Sequence, residues 1–227
     1  MIEVAVSATA LHDDLLAVWA RTFDVAVDIR SIAELGVAAG HGIPARRMVV
    51  HADTLGDDEL RCATRLGVGR VVVGSLRQID VLGAAAGGRG QGVLLQLVAP
   101  APGVAPRPDG FTCGTKEVDN AVGAVLRRGH LVLHGFYEKA GHGAHSAYAA
   151  VIDDMVAQLD HVRRSDGVVL SRLGVEFAES VDCLIGSTPT EIDEMVDDAC
   201  EAMRFPRPRV LLSLGAALTE CDVARAS

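Results

Sequence analysis

Short apolar runs rich in β-branched residues alternate along the chain with longer amphipathic segments. Gly, Asp or Pro, which are typical of turns, bound most of these runs. Alternation of this kind predicts βα units arranged around a parallel sheet. Eight strands are predicted, at residues 3–7, 25–29, 48–51, 70–74, 93–98, 131–137, 168–171 and 210–213.

One predicted helix covers residues 57–66 and stops at a glycine. Its first turn is acidic, which favours the positive end of the helix dipole. Asp53, together with Asp57 and Asp58, is therefore interpreted as charge near a helix start and not as an acid/base pair.

A second helix is predicted over 189–203, because Thr188 is a capping residue and Pro189 suits the first helical position. Its apolar positions recur at helical spacing and predict one buried stripe, formed by Ile192, Met195, Val196, Ala199 and Met203. Residues 100–110 contain four prolines and predict a long loop after the fifth strand.

Composition indicates one domain over residues 1–227, since 49% of the residues are apolar. The net charge of −9 makes nucleic acid an unexpected partner.

No apolar run reaches the length of a membrane helix, and no signal peptide follows Met1. Five widely spaced cysteines predict neither disulfides nor a zinc site, so a reducing cytoplasm is expected.

Three segments carry a more specific pattern: residues 28–35 (DIRSIAEL), 46–60 (RRMVVHADTLGDDEL) and 66–75 (LGVGRVVVGS). They resemble the barrel of the diaminopimelate and ornithine decarboxylases, which bind pyridoxal phosphate (PLP) in a fold-type-III barrel like that of alanine racemase. The resemblance implies a single (β/α)8 TIM barrel. The family also has a β-domain built from both chain ends, and we expect this chain to be the barrel alone.

The resemblance implies where PLP contacts would lie, and several matching residues are altered. The family's PLP-binding lysine on the first strand corresponds to Thr9, or to Ala8 under a one-residue shift, and no lysine occurs in the first 115 residues. The family arginine on strand five corresponds to Gln96, and the ring-stacking histidine corresponds to Lys139. None of these replacements can perform the family role.

Two more family motifs are weakened near the end of the chain. The glycine-rich phosphate loop corresponds to 174–176, where Gly174 is kept and Glu176 introduces a carboxylate. The Glu-Pro-Gly-Arg motif begins here with Ser213 and keeps Gly215, so the acid that pairs with the pyridine nitrogen is lost. The resemblance therefore implies a vestigial PLP site, and no bound cofactor is expected.

Polar residues remain just past the sixth strand, where barrel active sites form. Lys139, with Tyr137 and Glu138, is the candidate catalytic group, because a desolvated lysine can form imines while its neighbours or Glu176 move protons. The alternative is that Lys139 only pairs with Glu138 or Glu176.

His142 and His145, with His134 and His51 as possible neighbours, could be read as metal ligands. No carboxylate or thiolate spacing completes such a site, so no metal is expected. Cys113 is interpreted as an inert thiol.

These observations favour a catalytically degenerate barrel, a pseudoenzyme that neither binds PLP nor decarboxylates amino acids. It would act through its surface, as a homo-oligomer or by binding an active paralogue. Two alternatives stay open: an enzyme with a rebuilt barrel-mouth site, such as a PLP-independent lyase or imine chemistry at Lys139, and a module that binds a small molecule at the barrel mouth.

Overall fold

The computed structural model describes residues 2–88, 90–98, 110–140, 145–177 and 188–214. Eight parallel strands close into a barrel in the order β1-β2-β3-β4-β5-β7-β8-β9, and β9 pairs with β1. The short β6 pairs with the end of β5. The strands are β1 Ile2–Ser7, β2 Ala26–Ile29, β3 Met48–His51, β4 Arg70–Val73, β5 Gln91–Val98, β6 Phe111–Thr112, β7 Leu131–Ala140, β8 Arg172–Phe177 and β9 Arg209–Ser213.

Helices on the outside of the barrel connect the strands, so the predicted (β/α)8 fold is confirmed. Within the described ranges, none of them is long and apolar enough to cross a bilayer. They are α1 Asp14–Thr22, α2 Ile32–Gly40, α3 Asp57–Arg65, α4 Leu76–Ala85, α5 Lys116–Leu126, α6 His145–Asp166 and α7 Thr188–Met203. Short 3-10 turns lie at Ala8–His12, Ala45–Arg47 and Ala52–Thr54.

Side-chain caps start two of these helices in the segments that carry the family resemblance. Ser31 accepts from the backbone N–H of Glu34, and Glu34 in turn accepts from the N–H of Arg30 at 2.7 Å. Ser75 and Gln78 repeat the arrangement at α4. Such reciprocal caps satisfy N–H groups that the first helical turn leaves unpaired. Part of the sequence resemblance to the family therefore comes from residues that cap helices.

The seventh barrel strand lies later than predicted. The prediction placed it at 168–171, whereas β8 runs over Arg172–Phe177. Its inward-facing residues are Arg172, Gly174 and Glu176, which interrupt the apolar pattern that was used to locate strands. The apolar pattern therefore predicted a strand at residues 168–171, which lead into β8.

The α7 stripe is confirmed except at its end. Ile192, Val196 and Ala199 are buried, and Met195 packs against the core, whereas Met203 is 38% exposed. Met203 is the last residue of the helix, where the chain turns towards β9. The stripe therefore ends one turn earlier than predicted. The proline-rich loop predicted at 100–110 lies outside the described residues except for Gly110.

Side chains that point into the barrel form a separate small core around one large aromatic residue. Tyr137 is fully buried there, and its ring packs over Gly174, where an added Cβ would lie 2.3 Å from Tyr137 Cδ2. Small residues opposite leave space for the ring. The members of this core are Ala5, Ala26, Val49, Val72, Leu94, Tyr137 and Leu211.

An ion-pair layer closes the amino-terminal end of the barrel. Arg70 and Arg172 both donate to the carboxylate of Glu3, with Arg172 Nη1 at 2.6 Å from Oε2. Burial raises the pKa of Glu3, but the two guanidinium groups outweigh it and hold that pKa below its ordinary value. Burial and the same arginines lower the pKa of His134 beside them. Two guanidinium groups thus share one carboxylate, and these ion pairs fill the amino-terminal end of the barrel.

Candidate site at the carboxyl end of the barrel

A buried hydrogen-bond chain joins the ends of β2, β3 and β9. Asp28 is 1% exposed and accepts from Ser213 Oγ on one oxygen. Its other oxygen lies 3.1 Å from His51 Nε2, which donates because a carboxylate only accepts. The His51 ring meets the edge of the Tyr137 ring, with centroids 5.1 Å apart. These contacts fix the imidazole and the phenol in the barrel centre.

Tyr137 also contacts the ion pair between β8 and the end of β2. Its hydroxyl donates to Glu176 Oε2 at 3.2 Å, and Arg30 Nη2 lies 2.5 Å from Glu176 Oε1. Burial, Asp28 and Glu176 raise the pKa of Tyr137 well above its ordinary value. Tyr137 is therefore a neutral phenol at physiological pH and a hydrogen-bond donor, not a base.

Lys139 forms the second ion pair of the site, and its partner is not one that was predicted. Its Nζ lies 2.5 Å from Asp53 Oδ2, in the 3-10 turn after β3, so the predicted pairing with Glu138 or Glu176 is wrong. Burial would raise the pKa of Asp53, but the hydrogen bond and charge of Lys139, with His51 and Arg30, hold that pKa below its ordinary value. The interpretation of Asp53 as helix-start charge missed this role, although its position two residues after a strand end was a usable signal.

Glu138 does not join the other predicted catalytic residues. Successive side chains of a strand point to opposite faces, so Tyr137 and Lys139 face the barrel interior and Glu138 faces the helices. Glu138 is buried there, and its charge acts on the Cys113 thiol. The predicted trio is therefore split between two faces of β7.

The structure shows which residue at the end of the first strand faces the barrel mouth. β1 ends at Ser7, and Thr9 lies beyond it in a 3-10 turn. Ser7 shares the inward face of β1 with Ala5, and its hydroxyl lies 2.7 Å from that of Thr9. Ser7 is the strand residue that faces the barrel mouth, and sequence reasoning missed it.

The other positions implied by the family motifs have structural partners of their own. Gln96 is buried on the face of β5 that carries Leu94. Gly174 lies under Tyr137, and Ser213 donates to Asp28. Gly215 lies outside the described residues.

PLP needs a lysine that forms an imine and donors for its phosphate. The chain has two lysines: Lys116 is exposed at the start of α5, and Lys139 is paired with Asp53. Arg30 is paired with Glu176. Around the described barrel mouth, the side chains therefore supply neither a lysine free of an ion pair nor an unpaired arginine.

Two of the four histidines considered as metal ligands, His51 and His134, lie at opposite ends of the barrel. His51 lies at the carboxyl end of the barrel and His134 beside Arg172 at the opposite end, so grouping these two was wrong. His142 and the side chain of His145 lie outside the described residues. Over the described ranges, no cluster of three or more His, Cys, Asp or Glu residues could hold a metal ion.

Cys113 is expected to react far more slowly than Cys62. Burial, Asp154 and Glu138 raise the pKa of Cys113 to about 11, whereas Cys62 is exposed. Such a thiol is about 0.1% thiolate at pH 8, and the thiolate is the form that reacts. In a peptide-resolved iodoacetamide time course, the exposed Cys62 should therefore be alkylated at least about tenfold faster. In guanidinium chloride the two rates should converge, and equal rates in the native protein would contradict this account.

The closed parallel barrel, with its polar side chains gathered at the carboxyl ends of the strands, defines an α/β-barrel protein of the TIM type. Residues 5–175 match the family described as "Pyridoxal-dependent decarboxylase, pyridoxal binding domain". The chain belongs to this family.

Curated relatives of the chain are diaminopimelate decarboxylases. That of Actinosynnema pretiosum subsp. auranticum is 28% identical over 240 residues, which cover 99% of this chain and 53% of the relative. That of Mycobacterium tuberculosis is 26% identical over 235 residues, covering 89% of this chain and 51% of the relative. The chain thus spans about half the length of these relatives.

Solved structures support the same fold. The diaminopimelate decarboxylase from M. jannaschii superposes with a TM-score of 0.78 at 13% identity, covering 96% of this chain and 54% of that one. The Paramecium bursaria Chlorella virus arginine decarboxylase bound to agmatine gives 0.77 at 14% identity, covering 96% and 58%. At these identities the likeness establishes the barrel and not its chemistry.

Proposed function

We propose that this chain is a non-catalytic barrel of the decarboxylase family, which holds no PLP through an imine and acts by binding protein partners. The observation that carries the proposal is the pairing of the charged groups at the barrel mouth. Arg30 is paired with Glu176, and Lys139 with Asp53. A site that awaits an anionic cofactor would instead leave cationic donors free to receive it.

Charge supports the same conclusion. Among the described residues, the mouth contains two cations, Arg30 and Lys139, and three acids, Asp28, Asp53 and Glu176. With the acids ionised, these five side chains add no positive charge to attract a phosphate dianion. A carboxylate roughly 5 Å from a phosphate costs on the order of 3 kcal/mol per charge pair at an effective dielectric constant near 20. Phosphate binding at this mouth is therefore disfavoured.

Imine chemistry at Lys139 is also disfavoured. A nucleophilic amine must be free to reach the carbonyl carbon, and Lys139 Nζ is engaged by Asp53 Oδ2. Asp53 is an anion at neutral pH, since its pKa lies below the ordinary value. The Lys139 side chain is only 30% exposed, so the contact is partly shielded from water.

A second candidate function, binding of a small hydrogen-bond donor at the mouth, is favoured by one observation. His51 Nδ1 and Asp53 Oδ1 are buried and have no hydrogen-bond partner among the described residues. Buried acceptors normally have a donor, which an ordered water or the amine of a ligand can supply. This candidate requires no turnover and is compatible with a non-catalytic barrel.

The proposal predicts no specific imine between PLP and the protein. The full chain is incubated with PLP, reduced with borohydride and mapped by mass spectrometry, with the exposed Lys116 as internal control. We expect Lys139 to acquire no more pyridoxyl label than Lys116, no absorbance band that survives gel filtration, and no release of CO2 from diaminopimelate, ornithine or arginine.

Saturable, near-stoichiometric labelling of Lys139 that is lost in Lys139→Arg would overturn the proposal, as would decarboxylation of any of these amino acids. Thermal shifts with diamines, without labelling or turnover, would support the second candidate. In that case Asp53→Asn should remove the shift.

A further inference from the structure

The outer face of α1 carries large apolar side chains in water. Leu15, Val18 and Trp19 lie on one face at positions i, i+3 and i+4, and Phe23 continues it at i+8. Their exposures are 81%, 49%, 39% and 67%, in that order along the chain. We call these four residues the α1 face. A helix on the outside of a barrel normally presents polar residues to solvent, so this face is unusual.

The composition of the α1 face also suits a protein contact. Trp19 is the only tryptophan of the chain, and its ring lies 6.2 Å from that of Phe23, centroid to centroid. Aromatic side chains, tryptophan above all, supply most of the binding energy in protein interfaces. The buried residues of α1 are the alanines Ala17 and Ala20, and Leu16 is half-buried. The other large apolar residues of this helix face away from the barrel.

Charges beside the face indicate which partner fits. Asp14 and Arg21 are exposed, and neither forms an ion pair within the described ranges. They are two helical turns apart, so they lie on the same flank of the α1 face. When two copies of one helix pack antiparallel about a two-fold axis, a given flank of one copy lies beside the same flank of the other copy, running in the opposite direction. Asp14 of each copy then lies opposite Arg21 of the other, which forms two ion pairs.

We infer that the α1 face is a self-association surface, on which α1 of a second copy packs antiparallel near Val18 and Trp19. Leu15 of one copy then lies near Phe23 of the other. In a parallel pair each flank would meet the opposite flank of the partner, so Asp14 and Arg21 would not face each other; these ion pairs form only in the antiparallel arrangement. The inference rests on the proposed surface function for its biological meaning, but the pairing itself is measured without PLP.

The size of the contact sets the expected affinity. A nine-residue helix is about 13 Å long, so one helix pair buries less than the roughly 800 Å² per partner of a standard interface. We therefore expect a reversible dimer with a dissociation constant in the micromolar range.

Tryptophan fluorescence can follow the association of the full chain, because Trp19 is its only tryptophan. Sedimentation velocity from roughly 1 µM to a few hundred µM should show a shift from one chain to two. Over the same range the emission of Trp19 should move to shorter wavelength, as the indole leaves water. The midpoints of the two transitions should coincide.

Substitutions test the geometry. Leu15→Glu should weaken the dimer at least about tenfold, whereas Leu66→Glu, at a leucine that is 53% exposed after α3, should leave it unchanged. Arg21→Glu should weaken association by placing acids opposite each other. The exchange Asp14→Arg with Arg21→Glu should restore it.

The inference is overturned if the chain sediments as a monomer throughout, or if Trp19 emission is blue-shifted at every concentration, since another part of the chain would then cover the face. It is also overturned if Leu15→Glu leaves the dimer intact, or if the charge exchange fails to restore association. PLP labelling at Lys139 together with an intact dimer would reject the proposed function and leave the pairing standing.

Discussion

Tyr137→Ala is expected to lower the free energy of unfolding by about 3–5 kcal/mol, the range of large aromatic truncations in cores. Tyr137 is fully buried at the centre of the barrel interior, between Gly174 and a wall that includes Ala5 and Ala26. These neighbours have almost no side chain with which to fill the space. The truncation therefore leaves a cavity that the strands, tied into a closed sheet, cannot collapse.

Tyr137→Phe is the matched control, because it keeps the ring and removes only the hydroxyl. The loss of the bond to Glu176 is expected to cost about 1–2 kcal/mol, the usual range for a buried polar partner. Urea unfolding followed by circular dichroism measures both variants. If alanine costs no more than phenylalanine, the ring does not support the barrel centre and this description of the interior is wrong.

The sequence predicted the barrel and seven of its eight strands in place, because those strands are apolar on both faces or nearly so. A strand between helices and a packed interior reads as a continuous apolar run. β8 differs because its inward residues include Arg172 and Glu176, which belong to the two polar layers at the ends of the barrel. β8 was missed because Arg172, Gly174 and Glu176 leave its inward face without an apolar side chain, whereas each of the other seven has at least one.

The candidate site was predicted in position but not in its pairing. Tyr137, Lys139 and Glu176 all lie at the mouth, as expected of residues near the carboxyl ends of strands. Their cationic and anionic partners lie far away in the sequence: 86 residues separate Lys139 from Asp53, and 146 separate Glu176 from Arg30. Which pairs meet depends on strand tilt and register, and no local pattern encodes that choice.

The position of Glu138 was accessible to sequence reasoning. The predicted strand 131–137 reaches the site, and its period of two puts adjacent residues on opposite faces. If the alternation continues for two more residues, Tyr137 and Lys139 point to one face and Glu138 to the other, and this follows from the sequence alone. The three residues are adjacent in sequence, but neighbouring residues of a strand point to opposite faces, so they cannot all line one site.

Asp28→Ala is expected to lower the free energy of unfolding by about 2–5 kcal/mol, since it removes the acceptor of two buried donors at once. Ser213 Oγ and His51 Nε2 both donate to Asp28, and all three residues are almost fully buried. Each donor left without a partner costs about 1–3 kcal/mol. Asp28→Asn keeps one acceptor oxygen and should cost about half as much.

A double-substitution cycle separates these hydrogen bonds from simple loss of packing. In the Asp28→Ala background, Ser213→Ala removes a hydroxyl that has already lost its acceptor, so it should cost little or restore about 1 kcal/mol. In the otherwise unchanged protein, the same Ser213→Ala substitution should destabilise by about 1 kcal/mol. If the two effects are equal, Asp28 and Ser213 are not coupled. The hydrogen bonds from Ser213 through Asp28 to His51 would then not hold His51 against Tyr137, and the description of the barrel mouth would lose its central contact.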